Sequence, residues 1–188
     1  CIPNTVIAAP KDETELKRLL NTGLGIKDGP LVIRYPRGIG EGADWRNAES
    51  TPLPIGKGER LADGEDVAVL ALGPVANRAL EAAERLRKET GKSPAVFNVR
   101  FLKPFDQEIL KEAAGYRCIL TLEDGAIKGG LFSEVSEYVA STGARIPVIG
   151  VGIPDRFITQ APVGRQREQC GLTTEIIYSK IVSLIKNN

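Results

Sequence analysis

The residues best suited to chemistry are two arginines in the segment Arg34-Tyr35-Pro36-Arg37-Gly38. It closes an apolar run, Pro30 to Tyr35, that predicts a parallel strand, and open α/β sheets bind ligands beyond the carboxyl ends of their strands. Pro36 confines Tyr35 to extended conformations and so fixes where Arg37 emerges. A guanidinium held there suits a phosphate or carboxylate, because its planar fork donates paired, charge-assisted hydrogen bonds. If the strand continues, Arg34 and Arg37 point to opposite faces, which predicts that one reaches the cleft and Arg34 faces away. Taken alone, the pentapeptide reads first as an ordinary solvated basic strand end.

Other candidates are weaker. Gly125-Ala126-Ile127-Lys128-Gly129-Gly130 lies between a predicted strand and a helix, where free amides attract anions. It matches neither a Walker pattern nor a dinucleotide fingerprint, and tight strand-to-helix packing is the better reading. Glu123 and Asp124 are adjacent carboxylates that a strand splits between its faces, so they predict no acid/base pair. Asn98 to Asp106 reads as a strand end, a Pro turn and a helix N-cap with a structural role. Ile153 to Ile158 reads as a loop able to seal a subunit contact through Phe157 and Ile158. No activated nucleophile is visible and the chain has 0 histidines, so the residues predict no catalytic group and no metal site.

The elements that must position Arg37 are legible as periods. Asn4 to Ala9 predicts a strand. Asp12 stands where an N-cap belongs, Glu15 completes a capping box, and Leu16, Leu19, Leu20 and Leu24 follow at helical spacing toward Gly25. With the strand ending at Tyr35 this makes one βαβ unit, a remnant too small to close a sheet. From Gly38 to about Asp66 the pattern dissolves into Gly, Pro, Ser and charge, which reads as a linker. Strands are then predicted at 67–72, 95–99, 118–122 and 147–151, alternating with helices at about 75–89, 106–114, 130–141 and 174–185. Near-continuous apolar strands alternating with helices predict a mostly parallel sheet flanked by helices. The expected organisation is residues 1–40 as the end of one domain, 41–63 as linker and 64–188 as a complete α/β domain. Apolar faces at Val6, Ile7 and Leu31 to Ile33 lead one to expect a labile start before a stable core.

Composition bounds the rest. The 188 residues are 42% hydrophobic, which suffices for a packed core. With 25 Lys and Arg against 24 Asp and Glu, the net charge of +1 supplies no general attraction for nucleic acid or an anionic membrane. The 3 cysteines are widely spaced, which argues against a disulfide framework and fits a reducing cytoplasm. No apolar run reaches transmembrane length, and the first residues lack the regions of a signal peptide. The chain has 0 methionines, so residue 1 is read as an internal position of a longer chain.

Taken in order, PNTVIAAPKDETEL, GPLVIRYPRG, PIGKGERLADGEDVAVLALG, NVRFLKPFD, LTLEDGAIKGGLFSEV and GIPDRFI resemble the 1-deoxy-D-xylulose-5-phosphate synthases across nearly all of residues 2–172. RYPRG and VRFLKPFD are shared with other transketolase-like enzymes; PIGKGE and GIPDRFI point to the synthases. The resemblance implies a homodimeric transferase dependent on thiamine diphosphate and Mg²⁺. Such an enzyme decarboxylates pyruvate and joins the two-carbon fragment to D-glyceraldehyde 3-phosphate, feeding isoprenoid, thiamine and pyridoxal phosphate synthesis. Residues 1–40 then correspond to the end of a pyrimidine-binding domain and 64–188 to a transketolase C-terminal-like domain. The diphosphate, metal and pyrimidine-activating residues would lie in an amino-terminal portion upstream of Cys1, so no catalytic, cofactor or metal residue falls in this segment.

One role carries over. The second arginine of RYPRG contacts the aldehyde's phosphate in the family, which places that role on Arg37. Two departures concern local loop geometry: Asp124-Gly125 replaces a second acidic residue and Asn, and Thr159-Gln160-Ala161-Pro162 replaces a turn ending in Gly. The segment alone is expected to be inactive. The alternatives are a beta-type subunit of a 2-oxo acid dehydrogenase or other transketolase-like enzyme, and a free-standing, non-catalytic assembly module.

Overall fold

The structure is a computed structural model that describes residues 2–186. In chain order its elements are β1 (Val6–Ala8), α1 (Glu13–Leu24), β2 (Leu31–Ile33), β3 (Glu59–Ala62), β4 (Val67–Leu72), α2 (Val75–Thr90) and β5 (Ala95–Asn98). There follow β6 (Phe101–Lys103), α3 (Gln107–Ala113), β7 (Cys118–Ala126), α4 (Leu131–Thr142), β8 (Val148–Ile153), α5 (Val163–Gln169) and α6 (Thr174–Lys186).

The capping signal at the start of α1 forms as its residues dictate. The Asp12 side chain accepts from the Glu15 amide at 2.8 Å, and the Glu15 carboxylate accepts from the Lys11 amide at 2.7 Å. Gly25 caps the other end. β1 and β2 pair in parallel, Val6 opposite Leu31, which completes the expected βαβ unit. That unit is not left with two strands. β6 pairs antiparallel with β1, giving a three-stranded sheet in the order β2-β1-β6. Its small core holds Val6, Ala8, Leu19, Leu53 and Phe101.

Leu53 belongs to the stretch read as linker, and its burial shows that this stretch lies along α1. The Lys17, Arg18 and Asn21 side chains donate to linker carbonyls of Ala48, Thr51 and Ser50, and the Leu53 amide donates to Thr22 Oγ1 at 2.7 Å. Further on, β3 joins the second sheet as an antiparallel neighbour of β5. Its sequence, ERLA, sits among glycines and charges and offers too little alternation to be read as a strand.

The second sheet has the order β3-β5-β4-β7-β8, parallel from β5 to β8, and is flanked by helices as the apolar strands predict. In β4, Val67, Val69 and Ala71 pack toward α2 and α6, while Ala68, Leu70 and Leu72 pack toward α3 and α4. Every residue of β4 is buried, the condition for a strand covered on both faces. β7 continues to Ala126, past the predicted end at Leu122. α5 went unpredicted because none of its residues is buried, so it carries no apolar period.

Pairing with β6 changes what the start of the chain should do. β1 is bonded on both sides, whereas among the described residues β2 pairs with β1 alone. Hydrogen exchange is therefore expected to protect Val6–Ala8 nearly as well as β4 and to leave Leu31–Ile33 faster. Equal, rapid exchange across residues 4–35 would restore the uniformly labile start that the sequence suggests.

Candidate functional site

The segment after β2 meets the second sheet at its opening. From β4 the chain crosses through α2 to β5 on one side, and from β7 it crosses through α4 to β8 on the other. Between β4 and β7 the crossovers diverge, which opens a crevice at the carboxyl ends of these strands. β4 ends at Leu72; Gly73, at φ 84°, turns the chain and Pro74 leads into α2. β2 ends at Ile33, and its last ladder bond runs from the Arg34 amide to the Ala8 carbonyl at 2.9 Å. Arg34, Tyr35, Pro36 and Arg37 line a cleft of about 240 Å³ together with Pro74, Asp124, Val163 and Arg167.

Arg34 and Arg37 thus line the same cleft. The expectation that Arg34 faces away rests on strand parity, and parity lapses because the strand stops before Arg34. Gly125 makes room for it: a Cβ there would lie 2.8 Å from Arg34 Nη1. Among the described residues no guanidinium of Arg34, Arg37 or Arg167 donates a hydrogen bond within the protein. Arg167 has one ionic neighbour, Asp124, at 3.9 Å, too far for a direct hydrogen bond. By contrast Arg60, Arg85 and Arg100 each have a carboxylate at 2.8 Å or closer. Three guanidiniums with unspent donors line one cleft, the arrangement that a site for an anion requires.

The neighbouring glycine loop is not such a site, because the protein fills it. Glu123 is buried and accepts from the Leu131 and Phe132 amides at 3.0 and 3.2 Å, so its carboxylate occupies the amino terminus of α4. A Cβ on Gly130 would lie 2.2 Å from Glu123 Oε2, which is why glycine stands there. Burial pushes the Glu123 carboxyl above its ordinary pKa, while the two amides and Arg34 pull the other way. Glu123 and Asp124 therefore divide as predicted: one serves the fold, the other faces the cleft.

A second cluster escaped the sequence. Arg100 is buried with φ 64°, and its guanidinium reaches Glu15 at 2.6 Å and Glu59 at 2.8 Å. Asn98 Nδ2 donates to Glu15 at 2.9 Å, and Lys11 lies 3.0 Å from Glu59. The cluster fastens α1 to β3 and to the end of β5. Its members lie 83 and 85 residues apart, and no local period marks them. Asp106 caps α3 through the Glu108 amide at 3.0 Å and accepts from Gly58 at 3.1 Å, the structural role expected. Beyond β8, Phe157 is fully exposed and Ile158 half-buried.

Residues 56–177 match the family described as "Transketolase, C-terminal domain". The chain is 45% identical to the 1-deoxy-D-xylulose-5-phosphate synthase of Parabacteroides distasonis over 96% of its length, and spans 28% of that protein. It is 42% identical to the corresponding enzyme of Rippkaea orientalis over 100% of its length, spanning 30%. A solved relative, a split-gene transketolase described as an inactive beta4 tetramer, superposes with a TM-score of 0.83 at 29% identity, covering 98% of this chain and 59% of that one.

Proposed function

The chain belongs to the transketolase C-terminal-domain family, and from that premise we propose that it is the carboxyl-terminal part of a 1-deoxy-D-xylulose-5-phosphate synthase. In this reading the rest of the enzyme precedes it, two copies form a cytoplasmic dimer, and pyruvate and D-glyceraldehyde 3-phosphate are the substrates. The observation that carries the reading is the cleft at the divergence of β4 and β7, which Arg37 lines. Among the described residues no helix is long and apolar enough to cross a membrane.

In the complete enzyme thiamine diphosphate would supply the electron sink that loss of CO₂ from pyruvate needs. Among the described residues no group of three or more His, Cys, Asp or Glu side chains is placed to hold a metal, and no residue here is assigned to the Mg²⁺ that would accompany it. What this chain's own residues do is grip and orient. Arg37 donates its paired N–H groups to the aldehyde's phosphate, and the cleft walls hold that end while its carbonyl points to the reacting centre.

Arg37→Ala in the complete enzyme is expected to raise KM for glyceraldehyde 3-phosphate about ten- to a hundredfold, the loss of one charge-assisted contact. Unphosphorylated glyceraldehyde should be affected little, and Arg37→Lys should recover part of the loss. Steady-state kinetics with both acceptors tests this, and an equal loss for the two would remove Arg37 from the role. The alternative, a separately encoded transketolase-like subunit, draws on the split-gene relative but is supported by 29% identity against 45% for the synthase.

A further inference from the structure

Asp124 is the one carboxylate lining a cleft that otherwise presents three guanidiniums. Its partner Arg167 lies 3.9 Å away on α5, the two side chains being 29% and 24% exposed. That distance leaves the pair without a direct hydrogen bond, so both partners keep their hydrogen-bonding capacity. We propose that Arg167 is a second phosphate contact and that Asp124 is the internal counter-ion which Arg167 exchanges for the ligand's phosphate. The proposal rests on the reading of the cleft as a phosphate site and extends it to α5.

Three considerations converge on it. Arg167 and Arg37 both line the same space of about 240 Å³, so one tetrahedral dianion held there can receive donors from both. A dianion carries more charge than the Asp124 carboxylate and offers more acceptor oxygens, so it gains more from Arg167 than Asp124 loses. The third is kinetic. A phosphate that stays unchanged through the reaction is gripped as firmly in the product as in the substrate, and such uniform binding does not raise kcat. An internal carboxylate that reclaims Arg167 weakens the grip and favours release. α5 suits this exchange because it buries no residue and is held at its start by bonds to the Pro162 carbonyl.

The test is titration of inorganic phosphate into the 188-residue chain at about pH 8, where the dianion dominates, followed by the arginine Nε–Hε NMR signals. Arg167→Ala is expected to weaken phosphate binding about tenfold, and Asp124→Asn to strengthen it severalfold to about tenfold. The gain from Asp124→Asn should largely vanish when Arg167→Ala is also present, because the two groups act on each other. Acetate, a monoanion, should gain less than phosphate from Asp124→Asn. Arg167→Ala binding phosphate like the parent would overturn the proposal, as would Asp124→Asn weakening it, which would make Asp124 a tether instead of a competitor. Arg37→Ala in the same titration separates the two readings: its loss alone keeps the Arg37 assignment and sinks the exchange, while loss with Arg167→Ala alone does the reverse. Absence of binding to the parent chain overturns the exchange, and the kinetics of Arg37→Ala still decide the first assignment.

Discussion

Replacing Glu15 by alanine is expected to lower the unfolding free energy by about 3–5 kcal/mol, the cost of breaking a buried ion pair by removing one partner. Glu15 is 3% exposed and the Arg100 side chain 7%, so Arg100 cannot exchange its lost partner for water. Asn98 Nδ2 loses the same carboxylate, and Lys11 loses an amide acceptor and an ionic neighbour. Glu59 and the Lys57 carbonyl remain on Arg100 and place the loss nearer the lower bound. Chemical denaturation measures it, and a loss below about 1 kcal/mol would show that the pair is dispensable. The double variant Glu15→Leu with Arg100→Met should regain much of the stability, since apolar replacement of both partners removes the desolvation cost.

Acid should loosen the same cluster. Burial pushes Glu59 up, but the Asn98 amide, Arg100 and Lys11 hold its carboxyl below the ordinary value of 4.5. A depressed folded-state pKa contributes stability that is present above the unfolded value and lost as pH falls through the folded one. The Glu59 contribution therefore persists through neutral pH and disappears only under distinctly acid conditions.

How far the sequence reaches is set by whether a signal is local. Asp12 and Glu15 are three residues apart, and β4 is six consecutive apolar residues, so both elements are legible without a partner. Arg37 is legible as a residue near the cleft because it follows closely on β2 and Pro36 restrains the chain between them. β6 is three residues long and becomes a strand through β1, more than 90 positions earlier, so no local period reports it. α5 shows polar residues all round and is defined by its place over the cleft. Arg34 was assigned to the wrong face because the strand ends two residues sooner than its apolar run. Glu15 carries two meanings, and the capping box conceals the second: the same carboxylate that closes α1 also neutralises Arg100.

Glu123→Ala is expected to cost about 2–4 kcal/mol, the penalty for leaving the buried Leu131 amide and the part-buried Phe132 amide without an acceptor. For a chain of this size that corresponds to a fall in Tm of roughly 5–15 °C. No other carboxylate can replace it, since Asp124 is turned to the cleft and Gly130 and Gly152 are shaped around Glu123 itself, their Cβ positions lying 2.2 and 3.0 Å from its side chain. Glu123→Gln keeps one acceptor oxygen and carries no charge to bury, so it should fall between the parent and the alanine variant. The pH dependence separates the contributions. Burial raises the folded-state pKa of Glu123 above 4.5, so its contribution is fully present below that value and is lost as pH rises through the folded pKa. The advantage of glutamate over glutamine should therefore be greatest in acid and shrink toward neutrality. Thermal unfolding of the two proteins across that range decides it, and an advantage that grows with pH would mean that Arg34 and the α4 amides outweigh burial. The phosphate titration adds a second readout, because Arg34 loses the neighbouring charge of Glu123 in either variant and its place in the cleft should loosen with it.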